Sequence, residues 1–170
     1  MQGRILVGSH DGVYLLVFEG DVRLTLCTTV DVYLEKMFLD ASFRSVVIDL
    51  SRTENIDSTS LGLLAKLSIQ AERRLDYRPT LVSTNPDITR ILLSMGFDEV
   101  FNLQETPLEQ AEQLTELPKM VASEADVRHR VLEAHRTLMS MNDANEEAFQ
   151  DLVAALEAES LQTAPRQAAF

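Results

Sequence analysis

The residues best placed to do chemistry are the hydroxyls of Ile56-Asp57-Ser58-Thr59-Ser60-Leu61-Gly62. Three of them follow an aspartate in a row, between an apolar run and a helix-like pattern. Ser, Thr and Asp are the preferred residues at a helix N-cap, where a side-chain oxygen satisfies a free backbone amide. One cap needs one such residue, so two are surplus. A helix start also favours an anion, because its free amides and dipole carry partial positive charge. A surplus hydroxyl here is therefore a candidate phosphate acceptor, although position alone does not say which one.

Other reactive side chains form no recognisable constellation. His10 lies in a turn, and His129 and His135 lie on a helix, with no spacing that brings two onto one face; all three read as solvated surface rather than metal ligands. Cys27, the sole cysteine, has no basic neighbour in sequence to activate it and reads as a small buried apolar residue. Asp49 reads as an acceptor for loop amides or a shaper of the hydroxyl loop. No Ser-His-Asp order, phosphate-binding glycine loop, dinucleotide pattern or zinc pattern is found, so the chain reads as non-enzymatic, with no cofactor and no metal.

The elements that must hold the hydroxyls follow from periodicity. Arg4–Val7 and Val13–Phe18 read as a hairpin turned at Asp11-Gly12, closed by Gly20-Asp21. Val30, Tyr33, Leu34, Met37 and Phe38 mark a helix over 26–39, and Ser45–Leu50 a strand buried on both faces. A helix over 60–75 follows the hydroxyls. Arg78–Ser83 reads as a strand, and Asn85-Pro86 as the cap and first residue of a helix that Gly96 ends. Val100–Leu103 completes a ββαβαβαβ order: an α/β fold with helices on a mixed, mostly parallel sheet.

Composition changes near Gln104, and the boundary between a domain over 1–104 and an acidic helical extension over 105–170 is placed there. Residues 1–103 carry 14 acidic and 10 basic side chains, and residues 104–170 carry 13 and 5. Thr106-Pro107-Leu108-Glu109 has the chemistry of a short helix start. Ser123 caps a longer helix with a stripe of Val127, Val131, Ala134, Leu138 and Met141. Asn142–Asn145 turns the chain into another, with Ala148, Phe149, Leu152, Val153 and Leu156 on its apolar side. Two such helices rarely stand alone, so the hairpin is expected to dock on the body, self-associate into a homo-oligomer, or serve a partner. Residues 163–170 read as a frayed end.

A net charge of −12 disfavours nucleic acid, since Arg73-Arg74 is the only basic pair. No apolar run approaches the roughly 18 residues of a membrane span, and no secretory signal opens the chain. A single cysteine fits a reducing compartment. A cytoplasmic protein away from membranes is the expectation.

Val47-Ile48-Asp49-Leu50 followed by Ile56-Asp57-Ser58-Thr59-Ser60-Leu61-Gly62 resembles the signature of STAS-domain anti-sigma factor antagonists, usually Asp-Ser-Ser/Thr-Gly-Leu-Gly. Asn85-Pro86-Asp87-Ile88-Thr89-Arg90-Ile91-Leu92 through Gly96-Phe97 is similar to that family's second pattern. The resemblance covers residues 4–103. It implies that the unphosphorylated chain binds a kinase-like anti-sigma protein, of the histidine-kinase-like ATPase type, and frees a sigma factor. Phosphorylation of the serine after the aspartate, Ser58, switches it off, and a PP2C-type phosphatase restores it. The implied partner surface comprises Gly20, Asp21, Arg23, Asp57, Ser58, Thr59, Ser60, Leu61 and Gly62. Ser60 replaces the family's glycine and Arg23 a frequent aspartate, a charge reversal that bears on partner identity. The rival reading is an unmodified STAS scaffold subunit of a signalling or transport assembly.

Overall fold

The computed structural model describes residues 1–109 and 113–163. Strands β1 (Arg4–His10) and β2 (Val13–Val22) form an antiparallel hairpin. Its two-residue turn places Asp11 at φ 50° and Gly12 at φ 79°, the left-handed pair that matches the twist of the flanking strands. One 3-10 turn, Leu24–Leu26, leads into α1 (Cys27–Leu39). There follow β3 (Ser45–Asp49), β4 (Thr53–Ile56), α2 (Ser58–Leu75), β5 (Thr80–Val82), α3 (Pro86–Ser94), β6 (Asn102–Gln104), β7 (Thr115–Glu116), α4 (Glu124–Met141) and α5 (Asp143–Thr163).

The sheet runs β6-β5-β3-β2-β1-β7. The first half of β2 pairs in parallel with β3, and its second half, beyond an irregularity at Gly20, pairs in parallel with β4. Parallel pairs β3–β5 and β5–β6 complete one side, and antiparallel β7 lies outside β1. The fold is a mixed α/β sheet with helices packed on it and two helices at the C-terminal end.

Alternation of period two selects the helix-facing side chains. Ile5 and Val7, Tyr14, Leu16 and Phe18, Val46 and Ile48, and Leu81 join one cluster with Val30, Leu34 and Met37 of α1 and Leu61, Leu64 and Leu67 of α2. Ile88 and Leu92 of α3 and Leu138 of α4 belong to the same cluster. Each such side chain contributes about 1.5–3 kcal/mol on full burial.

Three expectations change. Thr53-Glu54-Asn55-Ile56 and Thr115-Glu116 are strands, although neither looks apolar enough to be one. The helix expected to open at Thr106 does not form over residues 106–109; residues 110–112 lie outside the description. The chain there crosses to the far edge of the sheet, where Leu117 N–H donates to the Ile5 carbonyl at 2.9 Å, and this tertiary pairing overrides the local capping signal. The third concerns His135, which is not surface. Helix α5 is described as far as Thr163, and the end expected to fray lies, beyond that residue, outside the described residues.

Candidate functional site

Helix α2 begins at Ser58, two residues earlier than its periodicity predicts, and its N-cap is Asp57 rather than a hydroxyl. Asp57 Oδ1 accepts from Ser60 N–H at 2.8 Å, and Oδ2 accepts from Leu24 N–H at 2.7 Å. One carboxylate thus caps the helix and ties it to the loop after β2. The backbone reinforces the tie: Asp57 N–H donates to the Val22 carbonyl at 3.1 Å. Of the three residues expected on that loop only Arg23 lies there; Gly20 and Asp21 belong to the end of β2, where they pair with Thr53 and Asn55 of β4.

The end of β2 has its own internal order. Gly20 adopts φ 76°, where an added Cβ would press on the carbonyls of Met1 and Gln2 at 2.8 and 2.9 Å. Arg23 Nε pairs with Asp21 Oδ2 at 2.6 Å, which raises the guanidinium pKa further, and its side chain remains largely exposed. Asp49 behaves as the sequence suggests, accepting from Ser51 N–H at 2.8 Å.

Ser58 is half-buried, and Thr59, Ser60, Leu61 and Gly62 are buried. The element over them is α4, capped by Ser123, whose hydroxyl accepts from Asp126 N–H at 3.1 Å. Ser58 Oγ lies 2.7 Å from His135 Nε2, and His135 Nδ1 lies 2.7 Å from the Val131 carbonyl. A carbonyl only accepts, so Nδ1 carries the proton; in the neutral ring Nε2 then accepts from the Ser58 hydroxyl. His135 is 2% exposed and meets the Phe149 ring edge-on at 5.2 Å.

Further contacts seat α4. Arg130 pairs with Asp31 of α1 and, at 3.1 Å, with Asp126. Lys66 of α2 reaches Asp31 at 3.6 Å and Glu133 at 3.5 Å. A Cβ built on Gly62 would fall on the Ala134 carbonyl and lie 2.8 Å from the Ala134 methyl, so the helix backbones touch there. Asn142 and Asn145 donate to the Met95 carbonyl at 3.3 and 2.9 Å, fixing the α4–α5 turn at the end of α3. The gap left between α1, α2 and α4 holds about 10 Å³, space for no more than one water. Cys27 lines it, and burial pushes its thiol pKa up.

Sequence reasoning missed His135, Arg130 and the Gly62–Ala134 contact. The narrow heptad stripe drawn through Val131, Ala134 and Leu138 leaves His135 out. Globular helices commonly bury a wider face, which takes in a flanking position one turn after Val131. Its link to Ser58, 77 residues away, had no local signal.

The geometry and the sequence pattern both meet a known family. The STAS domain family matches residues 4–110. The chain belongs to the STAS-domain family. Among solved structures, an anti-sigma factor antagonist from Mycobacterium paratuberculosis is similar at 25% identity and a TM-score of 0.54, over 62% of this chain and 87% of that one. The Thermotoga maritima protein TM1081 shares the fold at 22% identity and a TM-score of 0.52, over 59% of this chain and 85% of that one. No curated protein matches the chain in sequence. These STAS matches cover the body and leave α4 and α5 outside the matched family region. Among the described residues no helix is long and apolar enough to cross a membrane, and no group of three or more His, Cys, Asp or Glu is placed to hold a metal.

Proposed function

We propose that this STAS protein is an anti-sigma factor antagonist switched at Ser58. In its unphosphorylated form it binds a kinase-like anti-sigma protein in the cytoplasm and frees a sigma factor. The observation that carries this reading is Asp57, whose two oxygens bind the start of α2 to the loop after β2. That clamp holds the exposed Arg23, just past the end of β2, close to Asp57 and the start of α2, which supports a shared partner face there. The fold shared with the mycobacterial antagonist supports it.

The chemistry belongs to the partners. The anti-sigma kinase transfers the γ-phosphoryl group of ATP to Ser58 Oγ, the hydroxyl proton passes to a base, and ADP leaves. A PP2C-type phosphatase adds water across the phosphoester, returning serine and inorganic phosphate. The phosphate brings nearly two negative charges beside Asp57. A partner shaped for a neutral hydroxyl must desolvate that charge without a counter-ion, a penalty large enough to reverse occupancy.

Phosphopeptide mapping after incubation with the partner kinase and ATP tests the reading, alongside intact mass from native cells with and without phosphatase treatment. Label on Ser58, constitutive partner binding by Ser58→Ala, and weak binding by a folded Ser58→Asp are the expected results. Label on Thr59 or Ser60, with Ser58→Ala still switchable, would assign the wrong hydroxyl. A chain that never carries phosphate would favour the scaffold reading instead.

A further inference from the structure

The hydroxyl assigned as the switch is half-buried and already engaged. Its proton is donated to His135, and the first two turns of α2 lie beneath α4. A partner that reads Thr59, Leu61 or Gly62 and the docked α4 require the same surface. We propose that the α4–α5 hairpin is an intramolecular cover of the partner face, latched by the Ser58–His135 hydrogen bond, and that phosphate on Ser58 excludes the docked hairpin. This rests on Ser58 being the modified residue.

Three observations carry it. The first is the latch. Nε2 stands 2.7 Å from Oγ, the space that a phosphorus and its outer oxygens occupy in a phosphoserine. Turning the modified side chain outward removes the steric conflict but leaves Nε2 unpaired beside a ring that is 2% exposed. Either way the latch is lost.

The second is the seat. Backbone contact between Gly62 and Ala134 leaves no slack over the first turns of α2. The remaining gap there is closed to anything larger than water. A partner therefore reaches Thr59 and Leu63 only once α4 has lifted, while Ser58 sits half-buried at the edge of the same contact.

The third is the charge. Arg130 and Lys66, two of the cations at the seat of α4, are paired with Asp31, Asp126 and Glu133. Arg23 near Asp57 is paired with Asp21 and Arg128 with Glu124, so a phosphate competes with existing carboxylate partners, and Asp57 adds a negative charge one residue away.

Cys27 supplies the reporter. It is the chain's only cysteine, it is 3% exposed, and it lines the gap under α4. The test uses the full chain in three forms: unmodified, with phosphoserine placed at position 58 during translation, and Gly62→Ala. Each is treated with a small thiol reagent, and amide exchange is followed by segment. Cys27 should react at least ten-fold faster in the phosphoserine protein. Residues 127–153 should lose protection while β2 and β3 keep theirs. Gly62→Ala, which puts a methyl against the Ala134 backbone without adding charge, should behave the same way.

Unmodified reactivity in the phosphoserine protein, with α4 protected, would mean that His135 pairs with the phosphate under a closed hairpin and would overturn the proposal. So would loss of protection throughout the sheet, because the hairpin would then not open as a unit. Gly62→Ala labelling at the unmodified rate would remove the seat from the argument and overturn it as well. The phosphate is installed without a kinase, so this outcome is independent of whether Ser58 is modified in cells. Absence of cellular phosphate sinks the functional reading alone.

Discussion

Asp57 and Ser58 are neighbours with different duties. Asp57 holds structure: one oxygen caps α2 and the other fastens the loop after β2. Asp57→Ala should cost about 1–3 kcal/mol, a cap plus a charge-assisted hydrogen bond, and Asp57→Asn should recover part of it; urea denaturation measures both. Thr59→Ala and Ser60→Ala should not reproduce that loss, since the capping role expected of those hydroxyls belongs to Asp57. Ser58 instead satisfies a buried imidazole. Ser58→Ala leaves His135 Nε2 without its donor and should lower stability by about 1–3 kcal/mol. His135→Phe in the same background should restore part of that loss, an interaction that a double-mutant cycle reads directly. The aspartate, the serine and their place at a helix start were legible in the sequence. The histidine was not, because nothing near either residue announces a contact formed across the whole body.

Local chemistry was a good guide to elements wherever the chain satisfies its own ends. Asp11-Gly12, Asn85-Pro86 and Ser123 all turn or cap as their side chains require. It failed where pairing comes from elsewhere. Polar Thr53–Ile56 is a strand only because the end of β2 offers it a parallel partner. The same region explains a buried charge: Glu19, at 5% exposure, lies between Arg52 at 2.8 Å and Arg4 at 2.7 Å. The hydrogen bond from Arg52, against the opposing effect of burial and helped by Arg4, holds the carboxyl below its ordinary range. A depressed carboxylate stabilises the fold above its unfolded pKa, and that contribution disappears as pH falls through the folded value. Glu19→Gln should therefore destabilise the protein near pH 7 by about 1–3 kcal/mol and much less near pH 3. Thermal melts across that range should show the two proteins converging in acid.

At the scale of the molecule, the acidic extension is seated on an acidic body by few cations. Arg130 is central, since it bridges α4 to Asp31 on α1 with little solvent around it. Arg130→Glu would set a third carboxylate against Asp31 and Asp126 and should weaken α4 docking by about 3–5 kcal/mol, as loss of a buried pair does. Amide exchange should place that loss in α4 and α5, with β3 and β5 retaining their protection. The apolar stripe in this extension was legible, and so was its need for a surface to lie on. Which surface it takes depends on a backbone-close approach at Gly62, and a glycine in a helix carries no sign of what will lie against it.

The short path from β7 to α4 has a thermodynamic meaning of its own. Leu117 is fastened to Ile5, and Met120 N–H donates to Thr29 Oγ1 at 3.0 Å, so only Val121 and Ala122 separate the last anchor from the Ser123 cap. A released hairpin on such a leash stays beside its seat at an effective concentration in the millimolar range or above. It therefore acts as a built-in competitor that cannot be diluted away. The apparent dissociation constant of any partner becomes its intrinsic value divided by the open fraction. With about 1% open, a contact of intrinsic Kd about 1 nM reads as about 0.1 μM. The leash thus sets an affinity threshold, which admits tight partners and filters out weak kinase-like proteins that would otherwise sample the same face.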